Sequence, residues 1–268
     1  MGAPLRSEPY IEINDILDSS ARTLLNFPGG ERSAQRLSEL RELGVEGIEL
    51  CGPERVSGMA VLGKGYCGLL VSGRWQKKTV AIKIRRSDST HQNLLSEAER
   101  QRHANLLEVG PQLYAHSSNI LVMERLRGKS IHRWLTEDTL PAQTVKRVLR
   151  SLLEQARSLD RGGLDHGALR CVAEHAFVDG QRVTLIDFSN ASTHRRAANL
   201  TTLVPGLFWG TQLADQLARH IPLPDREELT ELLRRYKQEG SEDQFLEILQ
   251  KIDAGNVQAQ GSTASTLR

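Results

Sequence analysis

The sequence predicts an α+β chain, with a small antiparallel sheet in its first half and a mainly helical second half. Three observations predict this. Between Val56 and Glu124 the apolar residues come in short runs separated by glycine-bearing turns, which is how strands are punctuated. From Val145 to Leu159 they recur at helical spacing over about four turns. Two late segments open with Asp225–Glu228 and Ser241–Gln244, the spacing of a helix capping box.

Taken in order, Ile13, Ile16, Leu17, Ala21, Leu24 and Leu25 read as a helix, stopped by Pro28-Gly29-Gly30. Leu37, Leu40 and Leu43 mark a second amphipathic helix ending near Gly44, and Gly47-Ile48-Glu49-Leu50 is a short strand candidate. Residues 1–55 are therefore expected to be a helical extension, which either packs on the domain after it or meets a partner. Residues 56–126 hold the strands. Met59 to Leu62 enters a glycine-rich turn, Leu69 to Arg74 leaves it, and Thr79 to Arg85 comes next. A helix is expected from Asn93 to Leu106 and a buried strand from Asn119 to Glu124. Residues 127–255 form the helical part. Val145, Val148, Leu149, Leu152, Leu153, Ala156 and Leu159 make one stripe that Gly162-Gly163 closes, and Val183-Thr184-Leu185-Ile186 makes a short strand ending on Asp187-Phe188. Residues 256–268, rich in Ser, Thr, Gly and Gln, are expected to be a disordered tail.

Composition narrows the function classes. The chain has 268 residues, 39% hydrophobic and 25% charged, as in a soluble globular protein. A net charge of +2 gives no reason to expect a nucleic-acid partner. No apolar run suits a membrane span or a signal peptide. Cys51, Cys67 and Cys171 lack CxxC spacing, so neither a disulfide framework nor a zinc site is expected, and a reducing cytoplasm is the expected location.

The chemistry lies in Gly63-Lys64-Gly65-Tyr66-Cys67-Gly68, followed by Val80-Ala81-Ile82-Lys83 on the next strand. Glycines let backbone N–H groups lie over a nucleotide's phosphates, because no Cβ blocks the approach. A lysine on the adjoining strand then reaches the α- and β-phosphates, the pairing of parts used in kinases. That lysine needs a carboxylate to fix its rotamer. Glu97 and Glu99 are both available, and Glu97 is preferred from its place on the helix. Met123-Glu124-Arg125-Leu126 lies where backbone groups of Glu124 and Leu126 would meet adenine, with Met123 behind them. The expected nucleotide-binding set is Leu62, Gly63, Lys64, Gly65, Tyr66, Gly68, Ala81, Lys83, Glu97, Met123, Glu124 and Leu126. Asp187, at the end of a buried strand, suits Mg²⁺ bridging phosphates.

The stretch Leu164-Asp165-His166-Gly167-Ala168-Leu169-Arg170 has the shape of a kinase catalytic loop with Ala168 in place of the aspartate. Alanine neither accepts a proton nor orients a hydroxyl. The asparagine for a second metal is replaced by Ala173. Glu174 and His175 are its neighbours and candidate metal ligands beside Asp187. Asp165 is the candidate for the hydroxyl, so Asp187, Lys83 and Asp165 form the expected catalytic set. His166 reads as a buried hydrogen-bonding anchor.

These residues, with Glu42-Leu43-Gly44, Ile84-Arg85-Arg86-Ser87-Asp88 and the distinctive stretch Ala191 to Thr201, resemble the predicted serine/threonine protein kinases of the minimal, archaeal-type lineage, near the RIO-type kinases. The resemblance runs from about Leu37 to Gly210. It implies a two-lobed protein-kinase-like fold with a truncated helical C-lobe, ATP and Mg²⁺ as cofactors, and serine/threonine or self-directed phosphotransfer to a partner that the sequence does not name. Members of this group tend to carry Glu or Gln at the catalytic aspartate's place, and Ala168 departs even from that. No Ala-Pro-Glu motif follows Asp187. Arg195, Arg196, Asn199, Thr201 and Thr202 stand there instead, as a group for a phosphate or acidic substrate or as a solvated basic turn. A pseudokinase that binds nucleotide without turnover is the alternative expectation, and a small-molecule kinase a third.

Overall fold

The computed structural model describes residues 9–137 and 140–255. The expected tail and the first eight residues of the expected extension lie outside the described residues. The chain is a mixed α+β protein that divides into two compact units, Met1–Asn105 with Pro111–Leu126, and Leu106–Gly110 with Arg127–Arg268. No helix among the described residues is long and apolar enough to cross a membrane.

In the first unit the elements are β1 (Tyr10–Glu12), α1 (Arg22–Leu25), α2 (Ser33–Glu42), β2 (Val45–Glu49), β3 (Glu54–Val56), β4 (Met59–Val61), β5 (Gly63–Lys64), β6 (Gly68–Trp75), β7 (Lys78–Arg85), α3 (Leu95–Leu106), β8 (Leu113–His116) and β9 (Ile120–Glu124). The main sheet has the order β1-β2-β6-β7-β9-β8, with β5 also pairing β6, and every pairing is antiparallel. β2 and β5 share one edge of β6. Glu49 faces Ser72 and Gly63 faces Leu70, and the separate hairpin β3–β4 is inserted between those two contacts.

Strand β7 explains the layering. Its side chains alternate, and both faces are covered. Val80, Ile82 and Ile84 join Leu69, Val71, Ile120 and Val122 in a core closed by Ile16, Leu24, Leu25, Leu37 and Leu40. On the opposite face Ala81 joins Leu94, Ala98, Leu113, Leu121 and Met123, with Leu62 and Leu70 against them. The N-terminal region thus covers the sheet face opposite Lys83.

The extension expected over 1–55 packs on the strands that follow it, the first of its two expected dispositions, but it is only partly helical. Two of its segments are sheet strands, and the one from Ile13 to Leu25 is not a continuous helix. A 3-10 turn at Ile16–Asp18 and the four-residue α1 take its place. The reason is local. Ser19 Oγ donates to Ile16 O at 2.9 Å and accepts from Ala21 N–H at 3.2 Å, bonds that compete with the helical ladder. The apolar positions are nonetheless the buried ones: Ile16, Ala21, Leu24 and Leu25 are fully enclosed. The helix over Leu37–Leu43 and the strand at Gly47–Glu49 form as expected.

The second unit comprises β10 (Lys129–Ser130), α4 (Ile131–Trp134), α5 (Ala142–Arg161), α6 (Val172–His175), β11 (Ala176–Asp179), β12 (Arg182–Leu185), α7 (Asn199–Phe208), α8 (Gln212–Leu217), α9 (Arg226–Glu239) and α10 (Glu242–Ala254). The seven apolar positions of the stripe on α5 are all buried. Strands β10, β11 and β12 form a small antiparallel sheet. Helix α7 lies close to the 3-10 turn Leu169–Cys171, and a Cβ on Gly206 would come within 2.7 Å of Arg170 O, so only glycine admits that approach. Ser241 and Gln244 form the full reciprocal capping box on α10, whereas Asp225 caps α9 through Glu228 N–H.

Replacing Ser241 with Ala removes a cap acceptor from α10, and the expected loss is about 1 kcal/mol of unfolding free energy in urea titrations.

Candidate functional site

Lys83 lies at the centre of the first unit's sheet, between Leu70 on β6 and Leu121 on β9. Its stem passes over Gly68. A Cβ there would fall 2.9 Å from Lys83 Cγ and 3.0 Å from Cε. The last glycine of the motif therefore makes room for the lysine as well as shaping the turn. Lys83 Nζ meets Glu97 Oε1 at 2.5 Å, and the two side chains are only 12% and 6% exposed. Glu99 is exposed on α3, so Glu97 is the partner. A pair this buried is held by Coulomb attraction at low local dielectric, set against the cost of desolvating both charges.

The turn itself is closed by Gly65 N–H donating to Gly68 O at 2.9 Å. Lys64 and Gly65 are exposed, and Tyr66 is 75% exposed at the tip. Arg86 braces the turn from the end of β7. It donates to Gly65 O at 3.2 Å and grips Asp88 with two hydrogen bonds of 2.8 and 2.7 Å. The Asp88 contact holds the guanidinium's pKa above its ordinary value.

Ala81, Leu70, Leu62 and Met123 form an apolar strip beside Lys83 on the same face of the sheet. Glu124, next on β9, gives its N–H to Gln112 O at 2.8 Å, which commits that donor to the sheet. Leu126 is half-buried beyond the strand's end. One group here had no sequence motif to announce it. Arg125 donates to Ser72 Oγ at 2.9 Å and to Glu49 Oε2 at 3.4 Å, while Ser72 Oγ donates to the same carboxylate at 2.8 Å. This cluster ties the segment after β9 to β6 and β2.

In the second unit Asp187 adopts φ 67°, the left-handed region, which Asp tolerates better than most residues. A non-glycine residue held there marks a conformation imposed by its surroundings. Asp187 Oδ1 accepts from Ser189 N–H at 3.2 Å. Phe188 is fully buried against His166, with ring centroids 4.9 Å apart. His166 is an enclosed anchor, as the sequence suggested. Its main-chain N–H donates to Asn199 Oδ1 at 2.8 Å, and its Nε2 lies 3.1 Å from Ile186 O, the residue before Asp187. Burial, with His175 beside it, pushes the His166 pKa down to about 4. The ring is therefore neutral, with Nε2–H donating to Ile186 O.

Asn199 in turn donates to Leu164 O at 2.8 Å and to Asp160 Oδ1 at 2.9 Å, and Asp160 also accepts the first amides of α7, Asn199 N–H and Leu200 N–H, at 2.7 and 3.1 Å. Burial raises the Asp160 pKa, opposed by these hydrogen bonds. The sequence carried one signal for this hub. Asp160 falls four residues after Ala156, where the apolar stripe of α5 calls for another hydrophobic residue.

The remaining expected site residues are disposed differently. Asp165 makes an isolated β-bridge with Ser192, and its Oδ2 accepts from Arg195 Nε at 2.8 Å. Its carboxylate is thus occupied by an intramolecular cation. Arg196 donates to Lys237 O. Asn199 is buried as the structural hub, which corrects its reading as a phosphate-facing or solvated group, whereas Arg195 and Arg196 are exposed, as a solvated basic turn would have them. Ala168 stands at the N-cap position of the 3-10 turn Leu169–Cys171, with no side-chain cap. Glu174 is exposed, and His175 is half-buried with its ring 5.6 Å from that of His166. Among the described residues no group of three or more His, Cys, Asp or Glu side chains is arranged to hold a metal ion. Asp187, Glu174 and His175 therefore do not converge as a cage. Mg²⁺ prefers oxygen donors and keeps several waters or phosphate oxygens, so Asp187 fits it and the imidazole of His175 does not.

No protein-family model matches this chain, and no curated protein matches it.

Two outcomes follow from this geometry. Glu97→Gln removes the carboxylate charge that Lys83 Nζ meets and is expected to cost about 3–5 kcal/mol of stability, whereas Glu99→Gln should stay within about 0.5 kcal/mol; denaturant titration of both separates them. For His166 the folded pKa lies below that of the unfolded chain, which takes up a proton near pH 6.5. Stability is therefore lost as pH falls from about 6.5 towards 4, by up to about 1.4 kcal/mol per pH unit for this group. In a pH series of urea melts, His166→Gln should flatten that slope.

Proposed function

We propose that the chain is an ATP-binding, protein-kinase-like phosphotransferase, of serine/threonine or self-phosphorylating type and with weak turnover. One observation carries the reading: a strand lysine whose stem crosses the last glycine of a Gly-x-Gly-x-x-Gly turn and whose ammonium is fixed by a buried helix carboxylate. This arrangement presents a positive charge beside a glycine-rich turn and an apolar strip, which suits phosphates next to a purine. MgATP would supply the phosphoryl group and the metal's charge neutralisation. Lys83 would hold phosphate oxygens, Glu97 would keep the lysine extended, and Asp187 would ligate the ion. Positioning and electrostatics account for most of the catalysis in this chemistry, so the missing base at Ala168 slows the step without removing its other supports. None of Cys51, Cys67 and Cys171 forms a disulfide, which fits the reducing, cytoplasmic setting of this reading.

A second reading is favoured by a specific observation. With Ala168 and Ala173 in the loop and Asp165 paired to Arg195, no carboxylate of that loop is left for a substrate hydroxyl. A nucleotide-dependent binding module, a pseudokinase, needs only the binding half of the machinery.

Thermal melts with and without millimolar MgATP test the shared part, since a ligand that binds only the folded chain stabilises it. A rise in Tm is expected in wild type and its loss in Lys83→Ala and Asp187→Ala; equal shifts in all three would reject the site. Transfer of labelled γ-phosphate to the chain or to a generic protein acceptor separates the two readings. Ala168→Asp should raise transfer, by up to the roughly 10²- to 10⁴-fold that a general base contributes.

A further inference from the structure

Arg36 is the largest fully buried side chain among the described residues, with none of its surface exposed. A buried guanidinium ordinarily meets a carboxylate, and this one does not. Its Nη1 donates to Leu25 O, while Nε and Nη2 are buried without a hydrogen-bond partner. Such a cation is costly to enclose unless something completes it.

The charges around it make the deficit larger. Arg32 and Arg85 are its cationic neighbours, and Glu39 is the carboxylate that faces them. Glu39 is already engaged. Its oxygens accept from Ser117 Oγ, from Asn119 N–H at 3.0 Å and from Asn119 Nδ2 at 2.6 Å. Arg85 donates to Asn119 Oδ1 at 2.8 Å and to His91 O at 3.0 Å, and neither acceptor is an anion. Three guanidinium groups thus gather with one carboxylate among them. Burial and the neighbouring guanidinium groups press the Arg36 pKa down to about 10.

The same corner holds the start of α2, ten residues long. Arg32 stands at its N-cap position, and no side chain caps the first turn. Side chains on a helix lean towards its N-terminus, so Arg36, one turn in, reaches back to that end. Its contact with Leu25 O places the guanidinium beside Asn26, whose Oδ1 accepts Arg32 N–H at 2.8 Å. Uncapped amides at a helix start and an arginine fork are the two devices by which proteins hold tetrahedral oxyanions. Arg32 is exposed and supplies the solvent side.

We propose that the corner between Leu25 and the start of α2 is a binding site for a compact oxyanion of the phosphate class, held by Arg36 from within and by Arg32 and Arg85 at its flanks. This site is separate from Lys83 and the glycine-rich turn, and it stands whether or not the chain transfers phosphate.

The test is the thermal stability of the full chain against inorganic phosphate, with chloride as the balancing salt at constant ionic strength. Phosphate also stabilises proteins non-specifically, so the informative quantity is the difference between variants. Wild type should gain about 5–10 °C in Tm at a hundredfold excess over Kd. Arg36→Met and Arg32→Gln should lose most of that gain, while Lys83→Met should keep it. Arg32 is exposed, so Arg32→Gln carries the test even if Arg36→Met does not fold. O-phosphoserine at the same concentrations distinguishes the ion's source: an equal gain assigns a phosphorylated side chain as an occupant, and a gain from phosphate alone assigns the free ion. An equal phosphate gain in wild type and Arg32→Gln, no gain in wild type, or loss of the gain in Lys83→Met alone would overturn the proposal.

Discussion

A lysine in the middle of a strand buried on both faces must find its countercharge outside the sheet. That requirement organises the first unit. β7 has to be apolar at Val80, Ile82 and Ile84 to seal one core and small at Ala81 to leave room on the other face, and Lys83 shares that second face. The countercharge has to come from a helix packed over that face, and α3 delivers it through Glu97. Gly68 is then required because the lysine's methylenes lie where its Cβ would be. One ion pair therefore constrains a strand, a turn and a helix at once. This is a specific use of a buried charge pair whose net contribution to stability alone is modest.

In the second unit the comparable constraint is carried by neutral and singly charged polar groups. Asp160 at the end of α5 takes the first amides of α7, Asn199 passes the connection on to Leu164 and His166, and His166 hands it to the carbonyl before Asp187. The loop with Ala168 and the strained Asp187 are thereby fixed by the same chain of hydrogen bonds. The chain is closed at His166 Nε2 and at the main-chain N–H, while His166 Nδ1 is buried without a partner.

Much of this is legible in the sequence where the determinants are local. The stripe on α5 has a period, the caps at Asp225 and Ser241 have a spacing, and Lys83 with Glu97 follows from a strand-then-helix order. The segment Ile13–Leu25 defeats a reading by periodicity, because the same apolar positions serve a helix and a folded-over loop. Ser19 chooses the loop by bonding its own backbone. Its burial is legible and its conformation is not. The ties that join distant residues leave no local trace. Asp160 with Asn199, Asp165 with Arg195, and Arg125 with Ser72 and Glu49 are set by tertiary placement, and only Asp160 betrays itself as a carboxylate in an apolar register.

The divided edge of β6 has a consequence for motion. β2 is joined to the outer half of that edge over Val45–Glu49, but β5 holds the inner half by the pairs Gly63–Leu70 and Lys64–Leu69 with Leu62 N–H donating to Leu70 O, and the β3–β4 hairpin separates the two. Opening free energy scales with how much of the ladder must part, so the short piece can release without disturbing the longer one. The glycine-rich turn is thus held by this short ladder and by the Arg86 brace, with less pairing than β7, which is bonded along both edges. Amide exchange is expected to be faster along β5, with its two rungs, than along β7, which is paired on both sides.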